Sequence, residues 1–299
     1  MISVIIDNEV SIMKKLTIFL LILSTICLFP FLTANADVGP KRTLDIEVIG
    51  VEEPYFLELL EQGTLAPIET LETDYPNEDE EGEIFPELLY TFTENGYVSS
   101  YFVRAWGVFP SRVSENYFRH SYNPPSNFKI LIIFEDGSYV TSKPVTTSLF
   151  NSKVTFDLTD VNLEVVVSNA GTIVEDLPVQ TMTMELILRI IGTILIELIV
   201  LFLFGYATKK SYLFVTYINL ITQVTLTGFM FMMKYYYFPV FGELAVLAIG
   251  ELLIFTIEII LFRHYLTEKT KNRAMLYALI ANFFSLIASF SIMILLMNM

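Results

Sequence analysis

The sequence predicts a two-part α+β membrane protein: an extracytoplasmic Ig-like β-sandwich followed by a four-helix transmembrane domain. Three features of the 299 residues carry that expectation. A short apolar stretch lies near the start, a long middle region has no apolar run able to span a bilayer, and four long apolar stretches fill the end.

The first stretch reads as an export signal over residues 13–36. Lys14-Lys15 precede the apolar run Leu16 to Phe31, and Ala34-Asn35-Ala36 offers a small-residue cleavage site before Asp37. An uncleaved signal anchor is the alternative, and either sends the following domain across the membrane. Asp7 and Glu9 suit an n-region badly, so translation is expected to start at Met13 rather than Met1. Cys27, the only cysteine, follows Ile26, which is too bulky for a lipoprotein processing site.

Residues 37–180 form the predicted sandwich. Leu44, Ile46 and Val48 alternate with Asp45 and Glu47, the period of a half-buried strand. Phe128 to Phe134 is nearly continuous in apolar residues, as in a strand covered on both faces. It meets the hairpin dipeptide Asp136-Gly137 before Tyr139-Val140-Thr141 returns. Val154, Phe156 and Leu158 alternate, as do Val161, Leu163, Val165 and Val167. Short alternating runs between turn signals argue for a sandwich. One helix is expected from Pro54, with Phe56, Leu59 and Leu60 as its apolar face and Gly63 as its cap.

The same region is strongly acidic, with 8 basic residues against 25 acidic ones between Asp37 and Asp176. Such a field repels nucleic acid and anionic lipid, so nucleic acid is not an expected partner. Glu78, Asp79, Glu80 and Glu81 are a candidate calcium site, since hard cations seek clustered carboxylates. They lack the spacing of a calcium loop, and a solvated acidic loop explains them more simply. Trp106, among Tyr101, Phe102 and Phe109, reads as core rather than as a carbohydrate platform.

Within residues 184–299, four spans are predicted at 184–207, 212–233, 239–262 and 274–297. Each is close to the ~20 residues that cross a hydrocarbon core. Lys209 and Lys210 follow the first span; Arg263, Lys269, Lys271 and Arg273 follow the third; the intervening loop has only Lys234. The positive-inside rule therefore makes loops 208–211 and 263–273 cytoplasmic and residues 37–180 external, in the cell membrane. The export signal predicts the same orientation independently.

The spans carry Arg189, Glu197, Asn219, Gln223, Glu251, Glu258 and Asn282. Ionisable groups at depth are costly and default to a functional hypothesis. At 1.5 Å per residue, the six without Arg189 fall about 6 to 16 Å from the cytoplasmic ends, a layer that thins toward the outside. Arg189, near the outer end, is expected to snorkel outward. Three roles fit the layer: a proton or cation path, a buried catalytic carboxylate site, or hydrogen-bonded glue for the bundle or a partner's helices. Enzyme motifs are otherwise missing. His120 and His264 cannot build an H-E-x-x-H zinc site, and neither a G-x-S-x-G elbow nor a phosphate loop occurs.

The residues also carry a resemblance. D-V-G-P-K-R (Asp37 to Arg42), Y-N-P-P-S-N-F-K-I-L-I-I-F (Tyr122 to Phe134) and N-L-I-T-Q (Asn219 to Gln223) are similar to segments of an uncharacterised group of bacterial, mainly Gram-positive, membrane proteins. So are E-L-L-I-F-T-I-E (Glu251 to Glu258), A-N-F-F-S (Ala281 to Ser285) and Glu197. That group pairs a signal peptide and a D-x-G-P-K-P mature start with an extracellular β domain and four C-terminal spans. Arg42 departs from its proline, and Ala288 stands where a glycine-like packing position is expected. The resemblance implies the architecture and singles out the intramembrane residues, without implying an activity.

The expectation is a non-enzymatic envelope sensor or accessory subunit with an external binding domain and no cofactor. Its partners are the bilayer and another membrane protein or a second copy. The alternative is a transporter or intramembrane enzyme using Glu197, Glu251 and Glu258.

Overall fold

The computed structural model describes residues 39–67, 86–104, 108–163, 165–237, 239 and 241–297. The expected signal at 13–36, the acidic residues 78–81 and Trp106 lie outside them. The chain divides between Leu177 and Pro178 into two compact units.

The first unit holds β1 (Thr43–Ile49), β2 (Tyr55–Gln62), β3 (Tyr97–Ser99), β4 (Ser111–Ser114), β5 (Tyr117–His120) and β6 (Asn127–Phe134). It continues with β7 (Tyr139–Ser142), β8 (Val145–Thr146), β9 (Asn151–Asp157), β10 (Val167–Ala170) and β11 (Thr172–Glu175). One sheet runs β11-β9-β1-β5-β4 and the other β10-β7-β6-β2-β3, with β8 beside β6. Both sheets are mixed: β1 pairs in parallel with β9, and β10 with β7.

The alternation in β1 does what its period demands. Leu44, Ile46 and Val48 enter a core shared by both sheets, against Val154 and Phe156 of β9 and Ile130 and Ile132 of β6. Asp45 and Glu47 face outward, where Arg119 and Lys153 pair with them at 2.6 Å each. The continuous apolar run of β6 has a different cause. Its other face, with Leu131 and Ile133, is covered by Leu89, Tyr90, Phe92 and Phe102. At its end, Gly137 adopts φ +85° and donates its N–H to the Phe134 carbonyl at 3.0 Å, closing the expected hairpin.

Two expectations are corrected here. The helix predicted from Pro54 is strand β2, bonded to β6 on one side and β3 on the other. Phe56, Leu59 and Leu60 imitate a helical face because β2 buries side chains on both faces, so consecutive apolar residues lose the period of two. The run from Val161 to Val167 is also not one strand. Only Val167 lies in β10, while Val165 is exposed and Val161 and Leu163 merely rest against the core.

The second unit is four helices: α1 (Val179–Leu203), α2 (Lys209–Met232), α3 (Phe241–Tyr265) and α4 (Lys271–Met297). A π-helical turn, Met233–Tyr237, continues α2. All four are long and apolar enough to cross a membrane. The predicted spans fall on these helices with shifted ends, since polar first turns such as Lys209-Lys210 and Lys271-Asn272 are helical too. Each helix packs on its chain neighbour, and α4 closes the ring against α1.

The α1–α2 and α3–α4 connections meet at one end. Glu268 accepts from the Ala207 and Thr208 amides at 2.7 and 3.1 Å, and from the Thr208 and Ser211 hydroxyls at 2.7 and 3.0 Å. Those bonds to the ionised form hold its carboxyl down at about 2. Lys209, Lys210, Lys269 and Lys271 flank this junction, the basic end of the bundle.

Candidate functional site in the helical bundle

The bundle buries a polar stripe beside apolar clusters, Leu201, Phe262 and Ala278 in one and Leu226, Met230 and Leu247 in the other. On α1, Glu185, Arg189, Thr193 and Glu197 recur every four residues and are all buried. Four-residue spacing puts them on one face, about 6 Å apart along the axis. On α2 the buried face carries Ser211, Asn219, Gln223 and Thr227, and on α3 Glu243, Glu251 and Glu258. Tyr277, Asn282, Ser285 and Ser289 come from α4. Large apolar residues such as Leu195, Ile199, Leu213, Leu253, Ile260 and Ile287 are exposed instead. Lipid tails are as apolar as leucine, so this sorting hides every costly group from them.

Nearest the basic end, Asn219 Nδ2 donates to Glu197 Oε2 at 2.5 Å and to the Val215 carbonyl at 3.1 Å. Tyr277 Oη donates to the same Glu197 oxygen at 3.3 Å. Glu258 accepts from Thr222 Oγ1 on Oε1 at 3.1 Å and from Asn282 Nδ2 on Oε2 at 2.9 Å. The Glu197 and Glu258 carboxyls, on α1 and α3, lie within hydrogen-bonding reach of each other. Ser289 Oγ donates to Glu251 Oε1 at 3.1 Å.

At the opposite end a buried ion cluster closes the bundle. Arg189 Nε donates to Glu185 Oε1 and Lys234 Nζ to Glu185 Oε2, both at 3.1 Å. Lys234 also approaches Glu243 Oε1 to 3.6 Å. The π-helical turn carries Lys234, and π-helical segments often mark functional positions.

All six sequence-predicted candidates, Glu197, Asn219, Gln223, Glu251, Glu258 and Asn282, therefore face inward. Asn219 joins Glu197 and Asn282 joins Glu258, whereas Gln223 Oε1 finds no partner among the described residues. Two readings change. Arg189 does not snorkel; it is fully buried on Glu185. The polar layer does not thin toward the opposite end, because Glu185, Lys234 and Glu243 extend it there. Glu185 and Glu243 stand at predicted span margins and Lys234 in the predicted loop between spans; the four-residue spacing of Glu185, Arg189, Thr193 and Glu197 is the signal that points to Glu185. Tyr277, Thr222 and Ser289 were missed because a lone hydroxyl in an apolar run has no signature.

The β unit has buried polar groups of its own. Glu58 Oε1 accepts from Ser99 Oγ at 2.8 Å, Ser100 Oγ at 3.3 Å and the Tyr101 amide at 3.2 Å. Burial nonetheless pushes its carboxyl up to about 8. His120 is buried and, with Arg104 near, its imidazole is held down at about 4. Lys129 pairs with Glu94, whose oxygens also accept from Thr141 Oγ1 at 3.0 and 3.2 Å. Among the described residues, no group of three or more His, Cys, Asp or Glu is placed to hold a metal ion.

Compared with known proteins, the chain matches no family model, no curated protein and no solved structure.

Proposed function

We propose that this chain is a non-enzymatic protein of the bacterial cell membrane, a sensor or accessory subunit. Its Ig-like β-sandwich lies outside as a binding module, and the four helices couple that module to the bilayer or to a membrane partner. The 13–36 stretch acts as the export signal, and the resemblance to the group with a D-x-G-P-K-P mature start belongs to the same proposal.

One observation carries the orientation. Glu268 ties the two lysine-bearing connections together, so Lys209, Lys210, Lys269 and Lys271 share one end of the bundle. Positive loops favour the cytoplasm, which supports an orientation with the entry to α1, and the β unit preceding it, on the outer side. The inward turn of the carboxyls leaves the apolar exterior for lipid or a partner.

Cysteine labelling on intact cells tests this. Ser126→Cys, exposed in the β unit, is expected to react with a membrane-impermeant maleimide, and Lys210→Cys only after permeabilisation. The reverse pattern would overturn the orientation. Cross-linking the tagged chain in intact cells should then recover a stoichiometric membrane partner; self-association alone would count against an accessory role.

A further inference from the structure

The interior of the bundle contains more polarity than its own hydrogen bonds use. Arg189 Nη1, Thr227 Oγ1, Gln223 Oε1 and Asn219 Oδ1 are all buried without a hydrogen-bond partner among the described residues. Buried polar atoms are normally satisfied, so a set of exceptions needs a physical reason. Glue alone does not supply one: helices held by pairwise bonds have no use for acceptors left over at successive turns.

The placement of these atoms gives the reason. Along α1, Glu185, Arg189, Thr193 and Glu197 offer a polar group about every 6 Å from the ion cluster to the Glu197–Glu258 pair. On α3, Glu251 lies two turns from Glu258 and eight residues from Glu243, each gap about 10 to 12 Å. Thr227, Gln223 and Asn219 of α2 face the same interior at four-residue steps and leave oxygens uncommitted. Spare acceptors at such spacing suit bridging waters, each of which needs two to four polar partners.

The central pair adds a proton site. Asn219 and Tyr277 both donate to Glu197 Oε2, which leaves Oε1 for the Glu258 carboxyl. Two bare carboxylates in contact repel, and a shared proton removes that repulsion. At the other end Arg189 holds Glu185 Oε1 through Nε and Nη2, both at 3.1 Å, and leaves Nη1 without a partner among the described residues. Arg189 offers only donors, so its guanidinium interrupts the run of proton acceptors at the cluster.

We propose that the interior of the bundle is a proton-transfer line, with the Glu197–Glu258 carboxyl pair as its proton store and the Glu185–Arg189–Lys234–Glu243 cluster as its gate. A proton entering from one side forms an O–H bond on a carboxyl as the O–H bond of the next donor in the line breaks. One proton leaves at the far side for each that enters. No other reactant is consumed, and the membrane potential or pH difference drives the net movement. The line passes Glu251 with Ser289 and the flanking amides and hydroxyls of α2 and α4.

The full-length chain in proteoliposomes, with a pH-sensitive dye inside and a potassium–valinomycin potential, tests this. Wild type should acidify the vesicles faster than empty ones. Glu258→Gln, which keeps acceptance from Thr222 and loses the titratable proton, should cut the rate at least tenfold, and Glu197→Gln likewise. Arg189→Met should raise it severalfold, while Lys143→Ala, exposed in the β unit, should leave it unchanged. Wild-type flux no greater than that of empty vesicles overturns the proposal, whatever the variants do. So does a folded Glu258→Gln protein with wild-type flux. Neither result bears on the maleimide labelling, so orientation and proton transfer fail separately.

Discussion

Three donors converge on one oxygen of Glu58, and none reaches the other. That asymmetry suits a neutral carboxylic acid, with Oε1 as the acceptor and the proton on Oε2. The group binds its proton up to about pH 8 when folded, against an ordinary value of 4.5. Between those values the folded chain holds a proton that the unfolded chain has released, so stability falls as pH rises through that window. At about 1.36 kcal/mol per unit, the slope totals several kcal/mol. Glu58→Gln should abolish it. Denaturant unfolding followed by the fluorescence of Trp106, the sole tryptophan of the sequence, should show the variant gaining on wild type from pH 5 to pH 8. A parallel loss in both proteins would refute the assignment. His120 acts in the other direction, since its depressed value makes stability fall as pH drops from 6.5 toward about 4. Neither residue was legible as a buried titrating group in the sequence. A glutamate in a strand is indistinguishable from a surface one until the layer covering that face is known, and here the cover is the distant segment 86–104.

At the scale of elements, legibility followed how many faces each element buries. Strand β1, covered on one face, kept its period of two and was readable. Strand β2, covered on both, lost it and read as a helix. The four spans were readable because lipid rewards apolar side chains all around a helix except along the inward stripe. That stripe is only partly legible, since Glu185 and Glu243 stand close to the span ends, where a charged residue carries no signal of burial. Turns also divide into readable and hidden ones. Asp136-Gly137 announced itself, whereas Gly171, between β10 and β11, did not. It sits at φ +62°, and a Cβ there would lie 2.4 Å from the Asp157 carbonyl oxygen. Gly137, at φ +85°, has nothing within 4 Å of the same added atom. Gly137→Ala should therefore cost backbone strain alone, about 1–3 kcal/mol, and Gly171→Ala clearly more. Chemical denaturation of both variants by Trp106 fluorescence checks this. Equal losses would mean that the backbone around Asp157 gives way freely and that β9 and β11 are not held in the register Thr172↔Asp157.

For the molecule as a whole, the polar interior is one coupled system if helices that do not adjoin in the ring communicate through it. α1 and α3 stand across the bundle from each other, yet Glu197 and Glu258 meet at its centre. Removing either carboxyl changes the surroundings of the other, so their effects on stability should not add. Residues in one buried network show coupling of about 0.5–3 kcal/mol, whereas distant sites add to within about 0.5 kcal/mol. A double-mutant cycle of Glu197→Gln and Glu258→Gln, read by denaturant unfolding in micelles, should give a coupling energy in that upper range. Glu58→Gln combined with Glu258→Gln supplies the contrast, because Glu58 belongs to the other compact unit. Near-additivity for the Glu197–Glu258 pair would mean that each carboxyl is held by its own amide partner alone. The bundle interior would then be a set of separate pegs, Asn219 on Glu197 and Asn282 on Glu258, with no proton shared between them. Strong coupling in that pair and additivity in the contrast would tie the central carboxyls into a single unit, which a proton store across the bundle requires.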